Sequence, residues 1–320
     1  MVNESEIRQR VKSITGINPT GNIEFIEDNS NYVDISRGMV LDFHGELYYI
    51  LGNMYESRFT LEEYPKYWVK SALELSTGRK KILKWKFDEK FVFKIGALNI
   101  KCYRSSEKES RILELVEGNL SFMQGKTIPD GKGEGVKIID YIKGNNLYNH
   151  LTNLEMDHEK YFHTQFPGIL KNLQAPLEAI RFIHSHNFLH GDIRNDHILI
   201  DDASKAYRWI DFDLNQDFSD YDVWSLGNIL LFSAGKGEHT FRNVSKNEKI
   251  PEKAFNALCE DDVSAFFEYR IINLKKLFPY IPKKLNDILM RFSKNTTVFY
   301  DTVDQILDDI DELIEDCNWK

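Results

Sequence analysis

Two features of the sequence predict an α+β fold of two lobes, a β-rich N-terminal lobe and a mainly helical C-terminal one. Between about residues 22 and 103, short strand-like runs of β-branched and aromatic residues dominate. From about residue 147 onward, apolar residues recur at three- and four-residue intervals, the spacing of a helix face. A chain of 320 residues can bury one large core or two moderate ones. A strand-rich half followed by a helix-rich half argues for two, with a cleft between them.

The elements follow in chain order. Residues 13–40 are polar and turn-rich and predict at most a strand or two capping the first lobe. "MVLDFHGELYYILG", "KKILKWKF" and "DEKFVFKIG" then read as strands. "SEKESRILELVEG" has a helical pattern with Ile112, Leu113 and Val116 inward. Ile169, Leu173, Leu177, Ile180 and Ile183 or His184 mark a longer helix, and Pro176 within it predicts a kink or a helix start. "TVDQILDDIDELIEDC" reads as a last amphipathic helix.

Composition narrows the function. The net charge of −9 argues against an extended nucleic-acid surface, since phosphate binding relies on Lys and Arg. Three cysteines, Cys102, Cys259 and Cys317, are odd in number and far apart, which argues against a disulfide framework or zinc site and fits a reducing cytoplasm. The polar start "MVNESEIRQR" is no secretory signal, and no run of 18 apolar residues predicts a membrane span.

The chemistry concentrates in "LHGDIRNDHILIDD" (189–202), where a His-Gly-Asp turn precedes an apolar strand. "YRWIDFDLN" follows and places Asp211 nineteen positions after Asp192. A hairpin between them would bring both carboxylates to one edge, as a base and a metal ligand. "DVWSLGNIL" (222–230) comes next. These three motifs, in this order, resemble the protein kinase superfamily, whose catalytic loop H-R-D-x-x-x-x-N precedes a D-F-G turn. The third is similar to the buried helix of that family's large lobe.

The resemblance extends to the first lobe. "WVKSALELSTGRKKILKW" (68–85) is similar to the kinase hairpin in which Val and Ala precede a Thr-Gly turn and a V-A-I-K strand. It implies that Val69 and Ala72 lie on the second strand, that Ile82 borders the adenine and that Lys84 positions phosphates, with Lys94 and then Lys101 as rivals. Alternation groups Ile82, Lys84 and Lys86 on one strand face, Leu83 and Trp85 on the other. The partner carboxylate implied for Lys84 is Glu109, with Glu114 as competitor. "GVKIIDYIKGNNLYNHL" resembles the strand and hinge, where Asp140, Tyr141 and Ile142 would offer backbone groups to adenine.

Several positions depart from the family. "LGNMYESRF" keeps only Gly52 where the phosphate loop has three glycines. His197 stands where the family has a metal-binding Asn, and imidazole suits a hard cation poorly. Asp213 replaces the glycine of D-F-G, and Asn195 or Asp196 could compensate in a metal site of Asp211, His197 and Asp213. Gly191 replaces an arginine that reads a phosphorylated activation loop, and only ten residues separate Asp211 from Asp222, too few for that loop. Arg194 takes the place of the catalytic-loop lysine and would steady the transferred group.

The resemblance covers roughly residues 48–315. It implies an N-terminal extension (1–47) packed on the small lobe, an N-lobe (48–142) and a C-lobe (143–320). It further implies an atypical, cytoplasmic kinase using ATP and Mg²⁺ or Mn²⁺, with Asp192 as base and a protein serine or threonine as acceptor. Such an acceptor would dock as a folded partner or as another copy of the chain. The alternatives are a small-molecule kinase of the aminoglycoside or choline kinase type, and a pseudokinase acting as a binding module.

Overall fold

The computed structural model describes residues 4–16, 18–19, 23–26, 28–57, 63–96 and 98–319. The chain divides into two compact units. The first takes its residues from 1–89, 105–119 and 123–142; the second comprises 90–104, 120–122 and 143–320.

The first unit is a mixed β-sheet with two helices. Its strands are β1 (Phe25–Ile26), β2 (Val40–Phe43), β3 (Glu46–Ser57), β4 (Glu63–Glu74) and β5 (Lys80–Lys84). The hairpin strands β6 (Lys90–Ile95) and β7 (Leu98–Arg104) belong to the second unit. Strands β8 (Gly125–Pro129) and β9 (Gly135–Asp140) then close the first sheet, whose order is β1-β2-β3-β4-β5-β9-β8. Helix α1 (Glu4–Thr15) turns Ile7 and Val11 onto Val40, Tyr49 and Leu73. That helix lies mostly ahead of the segment 13–40, for which a strand or two is expected and which holds β1 and the first residue of β2; residues 1–3, 17, 20–22 and 27 lie outside the described residues. Leu83 and Trp85 pack with Ala72 and Ile138 in the main core, so the strand alternation expected of β5 holds. Helix α2 (Ser106–Leu115) is capped by the Ser105 side chain, which accepts from the Lys108 N–H.

The second unit is mainly helical. Strands β10 (Gly144–Asn146), β11 (Ile198–Asp201) and β12 (Tyr207–Trp209) form one small sheet. Strand β13 (Leu214–Gln216) joins the β6–β7 hairpin in another. Helices α3 (Leu147–Thr152), α4 (His158–Thr164), α5 (Phe166–Ser185) and α6 (Tyr221–Gly235) carry most of the packing, with a terminal helix over Val303–Asp316. Helix α5 buries Ile169, Leu173, Leu177, Ile180 and Ile183, as its spacing predicts. It starts at Phe166 and runs through Pro176, whose carbonyl accepts from the Trp209 indole N–H at 2.9 Å. Among the described residues, no helix is long and apolar enough to cross a membrane.

Candidate active site

Within the first unit, Val69, Lys84 and Lys137 are neighbours across three antiparallel strands, because β4 pairs Val69 with Lys84 and β9 pairs Lys84 with Lys137. Lys84 meets Glu109 of α2 at 2.8 Å, and Glu109 is fully buried. The pairing expected from the sequence is therefore present as an ion pair. The competitor Glu114 is exposed on the same helix. Lys94 and Lys101 are exposed on the β6–β7 hairpin of the second unit.

A second lysine was not anticipated. Lys137, only 1% exposed, lies 3.5 Å from the other oxygen of Glu109 and donates to the Ser106 hydroxyl at 2.5 Å. One carboxylate thus bridges two buried ammonium groups. The signal was available in "GVKIID", where a lysine interrupts an otherwise apolar central strand.

The remaining expected nucleotide contacts all lie in this unit. Gly52 has φ +146° at a register shift in β3, a backbone reason for glycine there. Residues 58–62 lie outside the described residues. Val69 is buried and Ile82 half-buried. The N–H groups of Asp140 and Tyr141 already donate to Gln124 and Lys80 carbonyls at 2.8 and 3.3 Å. The Asp140 carboxylate accepts from Lys81 at 2.6 Å, Lys80 sits 3.9 Å over the Tyr141 ring, and the Ile142 side chain is buried.

In the second unit, the loop 189–197 is fixed from several sides. Asp222, fully buried at the start of α6, accepts from the backbone N–H of His190 (2.6 Å) and Gly191 (2.8 Å) and pairs with His184 (2.9 Å). Burial pushes the Asp222 carboxyl upward, but the His184 hydrogen bond, the two imidazoles and the Gly191 N–H hold it below the usual range. Gly191 has φ +83°, so glycine serves the turn itself as well as marking the lost arginine. The buried His190 ring packs edge-on against Trp209 and Phe212.

Asp192 stands at the end of this turn with its side chain 14% exposed. Burial raises its pKa, the charges of His197 and Arg194 pull it back, and Asp211 and Asp213 raise it again. His197 Nδ1 donates to the Asp192 backbone carbonyl at 2.8 Å and lies 3.6 Å from its carboxylate. The imidazole therefore braces the loop. Arg194 folds onto Asp196 with bonds of 3.0 and 2.5 Å.

Antiparallel pairing of β11 and β12 sets Ile198 against Trp209 and carries the chain to Asp211, as the predicted hairpin requires. Asp211 adopts φ +56°, a left-handed conformation that costs energy outside glycine and concentrates at functional sites. Asp213 is tied instead to Arg104 of β7, at 2.8 Å. Among the described residues, no three His, Cys, Asp or Glu side chains converge as a metal cluster. Asp211, His197 and Asp213 are not such a cluster; His197 Nδ1 donates to a carbonyl and Asp213 accepts from a guanidinium. Carboxylate oxygen of the kind Asp211 carries suits a hard cation that takes its other oxygens from phosphates and water.

No protein-family model matches the sequence. The chain is similar to a curated Caenorhabditis elegans protein described as a putative ribosomal protein S6 kinase alpha-2. The likeness is to a kinase. It is distant, 23% identical over 203 residues, and covers 50% of this chain and 25% of the relative's length. With the α+β architecture, it supports a protein-kinase-like relationship in general terms.

Proposed function

We propose that the chain is an ATP-dependent phosphotransferase of protein-kinase type. The observation that carries this reading is the loop of Asp192, pinned through its backbone by Asp222 and through its carbonyl by His197. A carboxylate carried on a backbone held at these points suits a reaction whose catalysis is mostly positioning.

Lys84, oriented by Glu109, would bind the α and β phosphates. Val69, Ile82 and the 140–142 segment would border the adenine. Asp211 would hold Mg²⁺ or Mn²⁺, which neutralises charge on the phosphates when bound. Asp192 would orient the acceptor hydroxyl and take its proton as the oxygen bonds to the γ-phosphorus. The bond to the β–γ bridging oxygen breaks and ADP leaves with that electron pair. Arg194 would steady the transferred group once released from Asp196. The kinase likeness favours a protein serine or threonine as acceptor, whereas a cavity beside the Asp192 loop favours a small molecule.

The test is thermal melting with millimolar ATP and Mg²⁺ or Mn²⁺, since a ligand that binds only the native state raises its Tm. Wild type should shift upward, and Lys84→Ala should lose most of the shift while Lys94→Ala keeps it. No shift in wild type would overturn the proposal.

A further inference from the structure

A cavity of about 260 Å³ opens along Ile193, Arg194, Asn195 and Asp196, starting one residue after Asp192. Six aromatic side chains contribute to its walls: Phe93, Tyr148, Tyr221, Trp224, Phe232 and Phe267. It lies wholly within the second unit. Its charged lining residues are matched, Arg194 with Asp196 and Arg270 with Glu238. Two lining residues carry buried polar atoms without a hydrogen-bond partner, the acceptor Asn195 Oδ1 and the donor Arg270 Nε. An apolar hollow with a few unmet polar groups has the make-up of a small-molecule site.

The wall containing Phe93 is the β6–β7 hairpin, which is anchored at both ends. At its base, β7 pairs with β13 from Cys102↔Gln216 to Arg104↔Leu214, and the Lys101 N–H donates to Asp217 at 2.8 Å. At its tip, Gly96 has φ +56°, and a Cβ there would meet the Phe266 carbonyl oxygen at 2.6 Å. The hairpin thereby takes up one edge of β13, the strand that follows Asp211.

We infer that this cavity is the acceptor site and that the acceptor is a compact organic molecule, without net charge, bearing a hydroxyl and a planar apolar face. The inference rests on the phosphotransferase reading and names its substrate class. The rings would stack on the apolar face, Asn195 and Arg270 would bind the polar edge, and the hydroxyl would be presented to Asp192. Transfer makes the O–P bond on that hydroxyl, releases ADP and sends the proton to Asp192.

The experiment incubates the full chain with γ-labelled ATP and Mg²⁺, alongside a cell extract filtered below 1 kDa or the protein fraction of the same extract. Label should appear in a small molecule separable from phosphate and nucleotides. Phe93→Ala, Tyr148→Ala and Gly96→Ala should each raise the amount of extract needed for half-maximal labelling about tenfold. Tyr148 is 47% exposed, so that variant should fold, and circular dichroism checks the fold of Gly96→Ala, whose new Cβ presses on the Phe266 carbonyl. Label on protein alone, label in free phosphate alone, or unchanged half-saturation in all three variants would overturn the inference. Each of these is distinguishable from failure of the phosphotransferase reading, in which wild type shows no ATP-dependent rise in Tm.

Discussion

Replacing Glu109 with Gln removes a carboxylate that Lys84 and Lys137 share, at 2.8 and 3.5 Å. Both lysines are buried, so solvent cannot replace the lost charge. Breaking a buried pair from one side costs about 3–5 kcal/mol. Neutralising an ordinary lysine at pH 7 would itself cost about 5 kcal/mol, which caps the loss per lysine. A loss of about 4 kcal/mol is a large share of a typical stability of roughly 5–15 kcal/mol. It corresponds to a fall in Tm of roughly 8–16 °C if the affected unit is of ordinary domain size. Thermal and urea unfolding followed by circular dichroism would read it, with Glu114→Gln as the exposed control, expected within about 0.5 kcal/mol of wild type. A Glu109→Gln protein within 1 kcal/mol of wild type would refute the bridging role.

Three further outcomes follow from the geometry. Asp222→Asn keeps the size but removes the charge that holds two loop N–H groups and His184, and should cost about 2–4 kcal/mol and abolish transfer; full activity in a stable variant would show that the loop holds itself. His158 is held down to about 4 chiefly by burial, aided by His239 and Lys236 and opposed by Asp157 and by its bond to the Ala234 carbonyl. A histidine whose folded pKa lies below its unfolded value stabilises the fold above about pH 6.5 and loses that contribution as pH falls toward 4. Wild type should therefore lose about 2–3 kcal/mol more than His158→Gln over that window, and parallel pH profiles would contradict this. Lys70, 1% exposed, is lowered to about 8 by burial and donates to Asn53 at 2.6 Å. Lys70→Met should be neutral or stabilising at pH 7, an outcome that equilibrium unfolding can check.

Local spacing made much of this legible. The Thr77-Gly78 turn between β4 and β5, the helix face of Ile169 to Ile183 and the His-Gly-Asp turn before an apolar strand each follow from a few adjacent residues. The ion pair of Lys84 and Glu109 was reachable through the resemblance to kinases. Features set by distant contacts were not legible. "DEKFVFKIG" reads correctly as a strand, yet nothing local says that its hairpin partner β7 pairs with β13 more than a hundred residues away. Asp213 looked like a metal ligand because its partner Arg104 lies on that hairpin. His197 looked like a poor substitute for an asparagine, whereas its ring nitrogen braces the Asp192 carbonyl. The helix α1 is short, and its apolar residues Ile7 and Val11 gain meaning only from the sheet they cover.

In the proposed reaction, Asp192 serves phosphoryl transfer from ATP. That role is tested most directly by following ADP formation with Mg²⁺ or Mn²⁺, in wild type and Asp192→Asn, with whole cell extract supplying acceptors. Extract-stimulated ADP formation is expected in wild type, with a loss of at least about a hundredfold in Asp192→Asn, the scale of a general base. Equal rates in the two proteins, or no stimulation of a wild type that binds ATP, would contradict that role.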